Sequence, residues 1–528
     1  MKILRLLVMA WLCCCSSLAW ASKGRILYIP MDNRPVCLAY TVATMEAAGW
    51  QVLTPPEEYL ATATESANSE KLFQWLEENA STSLASVIST DALLYGGLVG
   101  SRTHDLPAHV IEERALRLLS LKSQFKAKRV YGFTTIMRSP KASSAPVEPA
   151  YYGQWGPKLF ALGALEDKAE LVGLKRKERR QLKELGQELP PEHLRDLYGR
   201  REKNLQATEL LLEGLLYEGL DYLLVGRDDT ATYSRAHLEA RRLAALVKEL
   251  PQERLGFFAG ADQLGLVLLT RVANKLEYKI PLVKIIYNKG AGGATIPSYE
   301  DNTVATSAKD HVLAVGGYPA QFIKHADLVL AVNTPVDGKT ADITQQSPSK
   351  ENARQVEDFL GRLAMLDQQG YKIALADVKY GNGADNMLVE GLFQRALAYR
   401  LASYGGWNTA GNSLGFALGQ GLLARSTSSK EHRQLLEQRY LDDWAYEAGA
   451  RLTVYQSLIW PRYWPGSGLK GEQLQAAEER VSAAIKDKAR PYLGEQVEAY
   501  TYILPWQRLF EVYVQPKPEA AEPLIVNN

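Results

Sequence analysis

The sequence predicts an α/β protein made of two doubly wound, largely parallel-sheet units packed together with helical additions. Three observations carry this expectation. Short apolar runs of strand length recur along the chain, continuous rather than alternating, as strands buried on both faces of a parallel sheet must be. Stretches of helical period separate most of them. Polar loops rich in Asp, Asn, Arg and Gly follow the runs, where the carboxyl ends of parallel strands open onto a common crevice.

The strands are expected at 26–29, 86–89, 130–134, 222–225, 256–259, 282–287, 328–332 and 373–376, with helices between them at 36–48, 109–125, 235–249, 351–368 and 387–402. Two segments, 26–56 and 282–319, each read as strand, polar loop, helix and short second strand, the second strands falling at 51–53 and 311–315. This parallel suggests two like units. An eight-stranded (β/α) barrel using the same strands in sequence is the alternative. Residues 157–217 interrupt the alternation with a charged, helix-rich insertion, whose basic run Lys175 to Arg180 reads as a solvated helix face.

The expected divisions are a signal peptide over 1–21, a first α/β domain over 22–250 containing the insertion, a second over 251–425, a helical region over 426–514 and a disordered tail over 515–528. The signal reading rests on Lys2 and Arg5 ahead of an apolar run from Leu6 to Leu18, with Ala19 and Ala21 flanking Trp20 and cleavage expected after Ala21. A lipoprotein reading of Cys13, Cys14 and Cys15 lacks a small residue at the usual cleavage position. Export implies a periplasmic or secreted protein, with no stable membrane insertion once the signal is removed, because the run is shorter than the ~20 residues a span needs. Cys37 is then the single remaining cysteine and no internal disulfide can form.

With 61 basic and 60 acidic residues the chain has no electrostatic footprint of a nucleic-acid binder. No Ser occupies a G-x-S-x-G elbow, and no H-E-x-x-H or cysteine pair offers a zinc site. Neither glycine-containing turn, at 290–293 or 381–383, fits a dinucleotide or P-loop pattern. No cofactor is expected, although oxygen coordination of a divalent cation by Asp91, Asp228 and Asp377 stays open.

What the strand ends do carry is acid, arginine and amide. Asn33 and Arg34 follow the first strand; Asp91, Tyr95 and Arg102 follow the second; Arg138, then Arg227 with Asp228 and Asp229, follow the next two. Asp262, Asn333, Asp377, and Trp407 with Asn408 end later ones. A lone Asp or Asn after a strand is ordinarily a helix cap or an Asx-turn, which is the plain reading of Asp32, Asp262 and Asn333. Buried ion pairing is the plain reading of Arg34, Arg102 and Arg138. Adjacent Asp228 and Asp229 resist that explanation, because neighbouring carboxylates repel and one helix start needs only one of them. The inventory suits a saccharide: carboxylates act as acid, base or nucleophile, Arg and Asn bond hydroxyls or an acidic substituent, and Trp155, Trp407, Tyr95 or Tyr151 offers a ring face.

Taken in order, the motifs IPMDNRPV (29–36), STDALLYGGLVGSR (89–102), TTIMR (134–138), GRDDTATYS (226–234), GADQLGLVLLTR (260–271), IPSYED (296–301), ADLVLAVNTP (326–335) and GGWNTAGNSLG (405–415) resemble the bacterial family of domain of unknown function 4127. The resemblance spans residues 24 to about 460 and implies one coherent fold with a shared site, but no reaction. Gln263 stands where an acidic residue is expected in that family, so no essential acid is assigned there. From the residues alone, the expected function is hydrolysis of a glycan or cell-wall saccharide by Asp228 and Asp229, with Asp91 or Asp262 as second carboxylate. A periplasmic saccharide-binding protein and a metal-dependent enzyme are the alternatives.

Overall fold

The computed structural model describes residues 22–141 and 147–518. Six strands form the first sheet: β1 (Arg25–Ile29), β2 (Gln51–Leu53), β3 (Ala85–Ser89), β4 (Val130–Ile136), β5 (Tyr222–Arg227) and β6 (Leu255–Ala259). They pair in parallel in the order β2-β1-β3-β4-β5-β6. The chain continues through β7 (Leu282–Tyr287), β8 (Tyr318–Pro319), β9 (Leu328–Asn333), β10 (Ala341–Asp342), β11 (Ile373–Asp377), β12 (Tyr380–Gly381) and β13 (Ser403–Gly405). Of these, five make a second parallel sheet in the order β8-β7-β9-β11-β13, while β10 and β12 pair separately. Both sheets are open, so two doubly wound units replace the barrel alternative. Each sheet begins with the same local order, second, first, third, fourth, fifth, and each therefore has a topological switch point beside its first strand.

Some boundaries differ from expectation. The division after residue 250 falls one strand early, because β6 hydrogen-bonds to β5 and completes the first sheet. The expected strand at 311–315 is mostly helix: Val304–Ala314 is helical, with His311 turned inward, and the strand follows at β8. Two apolar residues, Val312 and Val315, are buried whichever period they belong to, which is why the sequence could not separate the cases. The expected signal peptide, 1–21, lies outside the described residues. The tail expected from 515 begins as strand instead, since β14 (Tyr500–Ile503) and β15 (Tyr513–Pro516) form an antiparallel hairpin; 519–528 lie outside the described residues.

The two units share one hydrophobic core rather than meeting at a polar cleft. Ile26, Phe133 and Leu224 of the first sheet belong to the same packed cluster as Leu330, Val332 and Ala374 of the second. Helix Leu264–Leu276, which follows β6, and helix Ala410–Leu423, which follows β13, join them. The second helix is buried along its whole length. Gly411, Gly415 and Gly419 recur at four-residue spacing along one face, where a Cβ would lie 2.7 Å from the Ala259 carbonyl, 2.4 Å from Gln263 Cγ and 2.9 Å from Leu266 Cγ. This glycine row lets the two helices approach more closely than side chains permit.

The insertion is three helices, Tyr152–Leu171, Arg176–Glu188 and Pro191–Glu213, with a small core of their own around Leu159, Leu162, Leu185 and Leu197. Arg176 to Arg180 lie largely exposed, as a solvated face should. Beyond the second unit, helix Ser429–Arg439 runs into a π-helical stretch at Tyr440–Ala450. The C-terminal hairpin returns to the first unit, where Tyr40 Oη accepts from Val514 N at 2.9 Å. Among the described residues no helix is long and apolar enough to cross a membrane.

Candidate active site

Because every strand of the two main sheets is parallel, the loops leaving the carboxyl ends gather on one rim. A cavity of about 1240 Å³ opens there. Asn33 and Arg34 line it from the β1 loop, Arg138 from β4, Asp228 and Asp229 from β5 and Asp262 from β6. Arg102 reaches it from helix Leu98–Thr103. The second unit adds Ser298, Tyr299, Asn382 and Asn408, and the C-terminal segment closes one side with Gly466 to Gly468, Lys470, Trp506, Gln507, Arg508 and Phe510.

Asp228 and Asp229 occupy different electrostatic environments although they are adjacent. Asp228 is ion-paired with buried Arg102 at 2.6 Å, and the same arginine approaches Glu148 at 3.4 Å. Asp229 pairs with Arg138 at 3.1 Å, while Arg138 also bonds Glu148. Burial pushes the Asp229 carboxyl up to about 6, with the neighbouring Asp228 charge adding to the shift. Its side chain keeps 23% of its surface exposed, so it can still meet a ligand. Asp262 faces the same space and is held at 2.6 Å by Arg34, which also bonds both oxygens of Asp32 at 2.8 and 3.0 Å. Asp32 additionally accepts the Arg34 N–H at 3.1 Å, the Asx-turn expected of it.

Backbone strain is concentrated here. Among the described residues eleven non-glycine residues have positive φ, and six of them, Asp229, Tyr299, Asn382, Asn408, Trp506 and Gln507, line the cavity. Left-handed backbone at side chains such as Trp and Tyr costs of order 1–3 kcal/mol each and persists where the surroundings over-determine it, commonly at functional sites. The surroundings here include a hydrogen bond from Thr230 N to the Tyr299 carbonyl at 3.0 Å and another from Asn382 N to the Asn408 carbonyl at 2.8 Å. Trp506 Nε1 donates to Asn33 Oδ1 at 2.8 Å, and its ring lies 4.9 Å from the Arg34 guanidinium and 4.6 Å from that of Arg508. Trp506 thereby fixes the wall, and exposed Tyr299 and Phe510 supply accessible ring faces.

Eight of the residues singled out from the sequence line this cavity: Asn33, Arg34, Arg102, Arg138, Asp228, Asp229, Asp262 and Asn408. Six do not. Asp91 turns away and accepts from Thr134 Oγ1 at 3.0 Å and from Thr135, whereas Asp262 lines the cavity. Tyr95 is buried against His104, with ring centroids 5.1 Å apart. Arg227 is consumed by Asp301 at 2.7 and 2.9 Å, which ties the loop after β7 to the first unit. Asn333 and Asp377 belong to a separate buried network of the second sheet, bonded to each other at 2.8 Å. Trp407 is buried beside Phe510, with centroids 6.3 Å apart. Tyr151 stacks on His193 and Trp155 lies against Lys158, neither of them at the cavity. Asp91, Asp228 and Asp377 are therefore not gathered as ligands, and among the described residues no three His, Cys, Asp or Glu side chains form a metal-binding group.

Residues that sequence reasoning missed come mainly from far along the chain. Tyr299 stood in the IPSYED motif and Asn382 in a glycine-bounded turn, both visible as loop signals. Trp506 and Arg508 follow Pro505 in a region read as helical, and the one available signal was an aromatic beside a base directly after a helix breaker.

Buried carboxylates make stability fall as pH rises. Burial raises Asp91 and Asp229 to about 6, Glu300 and Asp377 to about 7 and Asp442 to about 8. Each binds its proton more tightly folded than unfolded, where a carboxyl titrates near ~4. Their stabilising contribution is complete below about pH 4 and is lost as pH rises through about 6 to 8. Glu277, lowered to about 2 mainly by its Lys23, Lys279 and Arg425 bonds against an opposing burial effect, works in the opposite direction, but only at pH below 4. Buried His104 and His311, lowered to about 4 by burial, oppose this trend up to about pH 6.5, and Lys488, lowered to about 8 by burial, opposes it above about pH 8. The melting temperature is therefore expected to decline between about pH 7 and 8, where Glu300, Asp377 and Asp442 lose their protons, and an increase over that interval would contradict the assignment.

Fold and site together define an α/β protein of two fused doubly wound units with a cavity lined by aspartates and arginines at their common rim. The chain belongs to the family described as protein of unknown function DUF4127, whose model matches residues 26–515. No curated protein and no solved structure matches it.

Proposed function

We propose that this chain is an exported hydrolase that cleaves a glycan or cell-wall saccharide by carboxylate acid/base chemistry. The observation that carries the reading is the Asp228 and Asp229 pair: one carboxylate is matched by Arg102, the other is pushed up to about 6 and remains accessible. Environments that drive two neighbouring acids apart are how a site obtains a proton donor and a charged partner together. Asp229 donates the proton to the leaving oxygen, and Asp262, on the same cavity, is the second carboxylate that a glycosidic cleavage requires. Asn33, Asn382 and Asn408 offer amides to sugar hydroxyls, and Tyr299 and Phe510 offer ring faces.

A two-lobed binding protein is disfavoured because its lobes close about a hinge, whereas these units share a continuous core through the glycine-lined helix pair. The testing experiment is a thermal-shift screen of the protein against sugars, cell-wall fragments and divalent cations, followed by product analysis of each saccharide that raises the melting temperature. Cleavage of a stabilising saccharide is the expected result. Saccharides bound and left intact would overturn the hydrolase reading in favour of a receptor, and a response to cations alone would overturn the acid/base role of the aspartates.

A further inference from the structure

Large aromatic side chains are exposed in the segment that leads into the cavity's C-terminal wall. Helical residues Arg451–Arg462 leave Leu452, Tyr455 and Trp460 exposed, and Tyr463 follows at the helix end with φ 54°. Trp460 is 64% exposed and Tyr463 88%. Their ring centroids lie 6.4 Å apart with planes 42° to each other, and Trp464 follows with the Arg462 guanidinium 5.5 Å from its ring. A Trp and a Tyr left this open leave large apolar ring surface in water, and such patches mark contact surfaces.

The ridge abuts the cavity's loop, for a Cβ on Gly466 would lie 3.8 Å from Tyr455 Cε2. Gly466, only three residues beyond Tyr463 and thus at most ~10 Å along the chain, lines the cavity with Ser467, Gly468 and Lys470. Leu509 N bonds the Gly466 carbonyl at 2.9 Å and Leu469 N bonds the Gln507 carbonyl at 2.9 Å, locking this loop to the Trp506–Phe510 wall. Exposed Phe510 lines the opening, and its carbonyl accepts from Arg451 Nη1, at the start of the same helical stretch, at 3.3 Å.

We propose that this ridge is a docking platform for a polysaccharide, holding a chain whose end or bend enters the cavity. The inference rests on the saccharide reading of the cavity and names its substrate class: a polymer of pyranose units rather than a free mono- or disaccharide. Ring faces carrying polar tips suit the apolar face and hydroxyl edge of a sugar. The polar neighbours Gln456 and Ser457, exposed beside the rings, fit the same partner, whereas burying an apolar helix face in lipid would need more aliphatic surface than Leu452, the one exposed aliphatic of the stretch, supplies.

The test is affinity electrophoresis of the whole protein through gels cast with soluble xylan, pectin, carboxymethylcellulose or peptidoglycan strands, comparing wild type, Asp229→Asn and the double variant Trp460→Ala with Tyr463→Ala. These two aromatics are surface residues, so an unchanged melting temperature is expected. Retardation of wild type and Asp229→Asn by one of the polymers, weakened on the order of tenfold in the double variant, is the expected result. No retardation of wild type, or equal retardation of the double variant, overturns the platform. Binding to phosphatidylglycerol vesicles in place of every polymer overturns it in favour of a membrane surface. A wild type that is retarded through the ridge but cleaves nothing leaves the platform standing while the hydrolase reading falls; cleavage unaffected by the double variant does the reverse.

Discussion

Replacing Asp229 by Asn is expected to lower turnover of the cleaved saccharide by a factor on the order of a hundred to ten thousand, the usual size of a lost general acid. The fold should survive, because Asn keeps the shape and can still accept from Arg138, and because the substitution removes a carboxyl that repels Asp228. Asp228→Asn discriminates this role from a merely structural one. Without the Asp228 charge one cause of the raised Asp229 value disappears, so the basic limb of the pH–rate profile should move to lower pH. With Asp229 at about 6 in wild type, the protonated donor is present below that pH and turnover falls as pH rises through it. Full activity in Asp229→Asn would sink the assignment.

Arg34→Ala is expected to cost roughly 3–5 kcal/mol of stability, the range for breaking a buried ion pair on one side only. The guanidinium is almost wholly buried and is held by Asp32 at 2.8 Å and Asp262 at 2.6 Å, with Glu511 at 3.9 Å and the Trp506 ring 4.9 Å away. It therefore fastens the β1 loop, the β6 loop and the C-terminal segment to one another. Removing it strands two carboxylates and releases the wall built on Trp506, so the melting temperature should fall by several degrees. A fall of under about 1 kcal/mol in denaturant titration would mean that water takes over the arginine's bonds and that the cluster is not a structural knot.

Much of the site could be read before the fold was known, for one physical reason. In a parallel sheet every strand exits on the same side, so polar residues directly after apolar runs converge without any knowledge of strand order. That placed Asn33, Arg34, Arg138, Asp228, Asp229 and Asp262 together. The same rule misplaced Asp91, whose position in the sequence is equivalent to theirs. Ser89 caps a short helix at Thr90–Leu94, and this turn swings the Asp91 carboxylate inward onto Thr134 and Thr135. Asn333 and Asp377 likewise end strands, but of the second sheet, where they bond each other within a buried network instead of facing the cavity.

The sequence by itself determined the class of the fold, two successive parallel-sheet units, and the chemical character of the rim, because both follow from local period and from what terminates each apolar run. Which acid faces the cavity, how Arg34 and Trp506 meet across more than four hundred residues of chain, and where the backbone is forced into left-handed turns were decided only by tertiary packing. Those features depend on how the helices Leu264–Leu276 and Ala410–Leu423 seat one unit on the other and on the return of the C-terminal hairpin to Tyr40, contacts between residues whose separation along the chain carries no periodic signal.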